Sequence, residues 1–148
     1  DLMLHRDIAS LNPSVQAIFR EFLKKLDEYG IKYYVSETLR EQAVQRAYYA
    51  QGRQALITVN SLRDTAGLPA ISERENKNII TNCDGVTNKS KHQSGKAMDI
   101  YPADDNGNPY WNASPEEFDD IGQVGEELGL TWGKHFKGLA DNPHFEVS

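Results

Sequence analysis

Two histidines and two aspartates stand at spacings that suit metal-assisted hydrolysis. His92 and Asp99 flank the dipeptide Ser94-Gly95, and a second imidazole, His144, lies near the C-terminus in Asp141-Asn142-Pro143-His144-Phe145-Glu146. Two imidazoles and a carboxylate leave one position open on a tetrahedral zinc, as a catalytic rather than a structural site requires. The glycine between His92 and Asp99 lets a turn bring the two segments together, although that spacing alone is a weak signal. Asp141, three residues before His144, is near enough to act on a water at the same metal without being a ligand.

These groups need elements to hold them. The run 96–101 reads as a short strand, and Asp99 interrupts its otherwise buried-looking pattern. A carboxylate there has to be paired, hydrogen-bonded or bound to a cation. At the C-terminus, strand alternation puts His144, Glu146 and Ser148 on one face and Phe145 and Val147 on the other. Upstream, Asn12-Pro13 caps a helix whose apolar residues Val15, Ile18, Phe19, Phe22, Leu23 and Leu26 share one stripe, and Gly30 stops it. A strand is expected over 31–36, followed by a helix over about 41–51 that Gly52 closes. Ser114-Pro115-Glu116-Glu117 opens another helix with cap, N1 proline and capping-box glutamate, and Phe118, Ile121, Val124 and Leu128 form its apolar face up to Gly129. The class is α+β.

Two stretches carry no chemistry. Residues 53–80 read as an insertion, expected to be helical and to cover a sheet edge, with a wall or lid of the cleft as the alternative. Asp104-Asp105-Asn106-Gly107-Asn108 resembles a fragment of a calcium loop but lacks the spacing and terminal glutamate of one, so an ordinary acidic turn is expected.

With 148 residues the chain has the length of one domain. Apolar residues at 39% and charged residues at 26% are ordinary for a folded protein. A net charge of −6 offers no basic field for nucleic acid or for an anionic membrane surface. No apolar run is long enough for a membrane span, and Asp1-Leu2-Met3-Leu4-His5-Arg6 lacks the regions of a secretion signal. Cys83 is the lone cysteine and reads as a small structural residue. His5 lies near the N-terminus and His135 in a glycine-containing loop, and both are expected at the surface. Arg40 stands where a strand hands over to a helix. On its own that position is a solvated one, unless an anion lies nearby for the planar guanidinium to bind.

Together these residues carry a resemblance. The pattern Ser90-x-His92-x-x-Gly95-x-Ala97-x-Asp99, then Trp132-Gly133, then Asp141-x-Pro143-His144-Phe145-Glu146, resembles peptidase family M15. This is the D-alanyl-D-alanine carboxypeptidase and L-alanyl-D-glutamate endopeptidase superfamily. Arg40 and the run Tyr49-Ala50-Gln51-Gly52-Arg53 extend the likeness from about Asn12 to the C-terminus, and the endopeptidases, which include phage endolysins and cell-wall hydrolases, are the most similar. The resemblance implies a small antiparallel sheet with helices packed on it, as in the hedgehog and D,D-peptidase folds. It implies one Zn2+ on His92, Asp99 and His144, with Asp141 as catalytic base. Arg40 would steady a substrate carboxylate or the oxyanion, which reverses the solvated reading, and Ser90 would bond near the substrate.

The activity this resemblance implies is that of a zinc metallopeptidase that cuts the peptide stem of peptidoglycan at the cell wall, most like an L-alanyl-D-glutamate endopeptidase. It would be a single-domain monomer over residues 1–148 with no membrane insertion. The alternatives are a D,D- or L,D-carboxypeptidase of the same family and a non-catalytic, hedgehog-like zinc-binding module. Where the family commonly has Gly-Tyr-Arg-Ser, this chain has Thr38-Leu39-Arg40-Glu41, so a different local backbone and hydrogen bonding are expected around the arginine.

Overall fold

The computed structural model describes residues 4–148, so the first half of the Asp1–Arg6 stretch lies outside the described residues. Helix α1 spans Pro13–Glu28, and the Asn12 side chain accepts from the Ser14 backbone N–H at 3.0 Å, as the capping sequence predicts. Strand β1 (Tyr33–Glu37) begins and ends later than the expected 31–36. Helix α2 (Gln42–Ala50) and helix α3 (Leu56–Thr65) follow. Strand β2 covers Ala97–Pro102, helix α4 covers Asp119–Glu127, and strands β3 (Thr131–Trp132) and β4 (His144–Glu146) complete the chain. Helix α4 is preceded by a 3-10 turn at Pro115–Phe118, where the Ser114–Glu117 capping box forms.

The strands make one antiparallel sheet in the order β1-β2-β4-β3. One face is the core. Met98, Ile100 and Phe145 of the sheet are fully buried against Phe19, Phe22 and Leu26 of α1 and Ile121 and Val124 of α4. Each such side chain contributes about 1.5–3 kcal/mol through its removal from water. Phe22 meets Phe145 edge to face at 4.9 Å, a preferred aromatic geometry. The strand period of two then sends Asp99 and Tyr101 of β2, and His144 and Glu146 of β4, to the opposite face.

Within residues 53–80 a helix forms over Leu56–Thr65, but this α3 packs on α2 rather than over a sheet edge. Val44 and Ala47 of α2 with Ala66 and Leu68 form a second, smaller core. The reason lies in α2, whose buried side turns away from the sheet and needs a partner of its own. The Tyr49-to-Arg53 run then ties the insertion down. Gln51 Nε2 donates to the carbonyls of Glu75 and Asn78, and Arg53 donates to Tyr49 O at 2.7 Å. From there residues 79–83 return along the wall of a cleft, which is the alternative reading of this segment. Asp104 gives its carboxylate to the backbone N–H groups of Asn106 and Asn108 at 2.9 Å each, so 104–108 is an acidic turn. Among the described residues no helix is long and apolar enough to cross a membrane.

Candidate active site

The polar face of the sheet forms the floor of a cleft of about 810 Å3 that holds all six residues singled out by the sequence: Arg40, Ser90, His92, Asp99, Asp141 and His144. The arrangement starts from strand register. Asp99 lies opposite His144 on β4 and opposite Glu37 on β1, so one row of side chains crosses three strands. His92 reaches the same point from the preceding loop. Its turn depends on Gly95, which has φ +71° and sits so close to Asn12 that a Cβ would fall 2.7 Å from the Asn12 backbone nitrogen. Ser90 Oγ accepts from the His92 backbone N–H at 3.2 Å, so Ser90 shapes this turn.

His92 Nε2 and His144 Nδ1 face the same oxygen, Asp99 Oδ1, at 3.0 and 3.2 Å. The far nitrogen of each ring is already occupied. His92 Nδ1 lies 2.7 Å from the Thr38 carbonyl, and His144 Nε2 lies 2.8 Å from Glu146 Oε1. Both partners are acceptors, so each far nitrogen carries a hydrogen. A neutral His92 and a neutral His144 therefore aim bare lone pairs at a carboxylate oxygen, an arrangement that requires a cation in their midst. Protons can serve. The His144 imidazole is destabilised as a cation by burial, but the hydrogen bonds to Asp99 and Glu146 and the charges of Asp99 and Asp141 prevail and push it up to about 10. Burial likewise pushes the Asp99 carboxyl up, and the imidazoles of His92 and His144 more than offset this, holding it well below the usual carboxylate range.

A metal ion fits better. The three donor atoms lie within 4.8 Å of one another, and the 3.0 and 3.2 Å separations approach the edge of about 3.3 Å expected for a tetrahedron with arms of about 2.0 Å. Thr38 O and Glu146 fix ring orientation and tautomer as partners of metal-bound imidazoles do. The donor set thus suits zinc, with one position left over.

Asp141 flanks this centre, its Oδ2 3.9 Å from His144 Nδ1 and its side chain 45% exposed. Burial within the cleft and the charge of Asp99 push its carboxyl up to about 6, against the pull of His144, His92 and Arg40. The Trp132-Gly133 motif explains how the loop is held. A Cβ on Gly133 would fall 2.3 Å from the Asp141 carbonyl oxygen. The Asp141 backbone N–H donates to Gly133 O at 2.9 Å, and Trp132 Nε1 donates to Asn142 O at 2.7 Å.

Arg40 is not solvated, because its side chain is only 10% exposed. Nε donates to Glu37 Oε2 at 3.1 Å, Nη2 to Glu37 Oε1 and Nη1 to Gln45 Oε1 at 2.8 Å. Three of the five guanidinium hydrogens are thereby used and two remain. Burial disfavours the charge, yet the bonds and charge of Glu37 raise the Arg40 pKa above its ordinary value. The Arg40 backbone N–H also donates to His92 O at 3.0 Å, so the unusual Thr38-Leu39-Arg40 segment is joined to His92 twice, once at the ring and once at the backbone.

Glu37, Thr38, Gln45 and Glu146 are positioning groups that the sequence did not single out. Glu37 had one available signal, its three-residue spacing from Arg40. Its orientation depends on an irregularity in β1 between Val35 and Glu37, which brings Glu37 rather than Ser36 opposite Asp99. His5 pairs with Glu41 at 3.1 Å and His135 with Glu126 at 3.5 Å, both outside this centre. Cys83 lines the cleft, and its carbonyl accepts from Gln45 Nε2 at 2.7 Å.

Residues 84–147 match the profile of the family described as D-alanyl-D-alanine carboxypeptidase. That segment, rather less than half of the chain, is similar to peptidase family M15. The fold of the chain is that of solved peptidases of this kind. The Serratia marcescens L-Ala D-Glu endopeptidase ChiX is 21% identical, with a TM-score of 0.56 over 99% of this chain and 86% of that one. A mutant of the vancomycin resistance D,D-pentapeptidase VanY from the VanB-type cassette, solved in complex with Zn(II), is 14% identical, with a TM-score of 0.58 over 99% of this chain and 79% of that one. The matched segment contains His92, Asp99, Asp141 and His144, while Arg40 and its partners lie ahead of it.

Proposed function

We propose that this chain is a peptidase of family M15, a zinc-dependent L-alanyl-D-glutamate endopeptidase acting on the peptide stems of bacterial peptidoglycan at the cell wall. It does so as a single-domain monomer with one ion on His92, Asp99 and His144. The reading is carried by one observation: two tautomer-fixed imidazoles converge on a single Asp99 oxygen, with Asp141 and Arg40 in the same cleft. A pure binding site needs no such carboxylate beside it.

Zinc held there supplies a Lewis acid for the scissile carbonyl and lowers the pKa of water. Asp141 accepts the proton of the attacking water and returns it to the leaving amine. Its place beside the proposed ligands, with Oδ2 3.9 Å from His144 Nδ1, puts it within reach of a water on the open position. The two unused N–H groups of Arg40 offset the negative charge that develops on the carbonyl oxygen. Glu37 and Gln45 hold the guanidinium in place beforehand, which reduces the reorganisation needed during reaction. Lys89, Lys91 and Lys137 line the mouth and suit the carboxylates of a peptide stem.

The endopeptidase assignment is supported by the Asp141-x-Pro143-His144 form of the tail and by the fuller match to ChiX. The family description and the likeness to VanY favour a D,D-carboxypeptidase as the second reading. Mass spectrometry of muropeptides digested by the zinc-loaded protein separates them. Free N-terminal D-glutamate is expected, and release of terminal D-alanine alone would overturn the endopeptidase assignment.

A further inference from the structure

An exposed indole at the cleft mouth has no task in the mechanism above. Trp111 is 57% exposed, yet its ring is clamped on two sides. Tyr101 meets it edge-on at 4.9 Å and Tyr34 at 5.5 Å. Tyr34 is backed by the Arg6 guanidinium 4.0 Å from its ring centre, and Tyr101 by the core residue Phe118 at 5.6 Å. The backbone is pinned as well, because the Tyr110 N–H donates to Pro102 O at 2.9 Å and Ala103 bridges to Pro109. A ring held this firmly surrenders little freedom when a ligand lands on it.

Its place in the cleft narrows the ligand. Trp111 and Tyr101 line the same cavity as the three proposed zinc ligands. Tyr101 follows Asp99 by two residues on the same face of β2, about 7 Å along the strand, and the Trp111 ring lies 4.9 Å from the Tyr101 ring. A flat, neutral aromatic face accepts the C–H face of a pyranose and leaves its hydroxyls in water. In peptidoglycan the nitrogen of the scissile L-alanine is acylated by the lactyl ether of an N-acetylated sugar. That ring therefore begins about two residue lengths, or about 7 Å, from the bond an endopeptidase cuts. A bond at the D-alanine end lies three residues further away, about 10 Å more, and would leave the sugar outside the cleft.

We infer that Trp111, supported by Tyr101, is a subsite for the N-acetylmuramyl ring of the substrate. The inference rests on the endopeptidase reading for its register. The zinc-loaded protein should cleave an N-acetylmuramyl-tripeptide with a kcat/KM at least about tenfold above that for the same peptide carrying only an N-acetyl group, equivalent to about 1.4 kcal/mol. Trp111→Ala should bring that ratio close to one, and Trp111→Phe should keep most of it, with thermal midpoints confirming that both variants fold. A wild-type ratio near one, or equal losses on both substrates in Trp111→Ala, would overturn the subsite. Calorimetric titration with N-acetylmuramyl-L-alanine tests binding without turnover. Binding to wild type and loss in Trp111→Ala supports the subsite whichever bond is cut, and unchanged binding in that variant refutes it. Cleavage only at D-alanine refutes the endopeptidase reading and is scored separately.

Discussion

Asp99 and His144 stand directly opposite each other across the β2–β4 ladder, and His144 Nδ1 lies 3.2 Å from Asp99 Oδ1. Two of the three proposed ligands are thus fixed by sheet register rather than by loop conformation. The buried Met98 and Phe145 form the neighbouring pair of the same ladder, so hydrophobic burial on one face sets the ligand geometry on the other. A one-residue slip of either strand would send its own group into the core and break the pair.

Metal loading should follow from this geometry. The purified protein is expected to bind one equivalent of zinc by elemental analysis, and Asp99→Asn, which keeps the shape but removes the charge between the imidazoles, should bind it far more weakly. Free zinc at about 100 times Kd should stabilise the wild type by about 2.7 kcal/mol, read as a rise in thermal midpoint. Equal midpoints with and without a chelator would remove the metal from the site.

The chelated and zinc-loaded forms should respond to pH in opposite senses. Without metal, the folded-state pKa of His144 is raised from 6.5 to about 10. Its contribution to stability is fully present below about 6.5 and is lost as pH rises through 10. Asp141, raised from 3.8 to about 6, acts in the same direction over a more acidic window. Zinc must displace the proton from His144, so its affinity rises with pH. Thermal melts of chelated protein between pH 6.5 and 10 should therefore fall in midpoint, and His144→Gln should flatten that fall. A slope unchanged in the variant would contradict the assignment.

Asp141→Asn should retain zinc and lose turnover by about 10²–10⁴-fold, the usual contribution of a positioned general base. The amide keeps the size of the side chain, and the backbone bond from residue 141 to Gly133 survives. Zinc content, folding and substrate binding are expected to stay near wild type. Near-normal kcat in this variant would transfer the base role elsewhere.

Removal of Glu37 should be more damaging than its distance from the metal suggests. Both Glu37 and Arg40 have side chains about a tenth exposed, so Glu37→Ala leaves a buried guanidinium with the Gln45 hydrogen bond and the Tyr48 ring but no countercharge bonded to it. A loss of about 3–5 kcal/mol is expected. Glu37→Gln should recover much of the stability while kcat remains depressed, because one amide cannot accept both guanidinium bonds. Full kcat in Glu37→Gln would show that Arg40 needs no such restraint.

Legibility in the sequence followed the physics of each element. Helix α1 was readable because a cap, an N1 proline and a long apolar stripe agree. That His92, Asp99 and His144 come together was anticipated because a carboxylate inside a buried strand has to be paired, hydrogen-bonded or bound to a cation. Glu37 was not, because its orientation depends on the irregularity in β1, which moves the pairing by one residue and leaves no mark on composition. The packing of α3 was hidden too, since an apolar helical face does not name its partner. Gln45 looked like an ordinary polar helix residue, although it is fully buried between Arg40 and the carbonyl of Cys83.

Helix α4 shows how packing remote from the metal can reach the site. A Cβ added to Gly122 would fall 2.3 Å from the Trp132 ring, and one on Gly125 would fall 2.7 Å from the Phe145 ring. These glycines let the helix lie close against β3 and β4. Trp132 cannot retreat freely, because it is buried and its indole N–H is bonded to Asn142 O, within the loop that carries Asp141 and His144. Gly122→Ala should therefore destabilise the fold by about 1–3 kcal/mol through overpacking, despite the better helix propensity of alanine. It should also lower kcat, since a displaced Trp132 moves the 141–144 loop. Trp132→Phe in the same background should relieve part of the steric loss but not restore kcat, because phenylalanine has no N–H for Asn142. Chemical denaturation and steady-state kinetics on the single and double variants would separate the two effects, and a Gly122→Ala protein as stable and as active as wild type would refute the coupling.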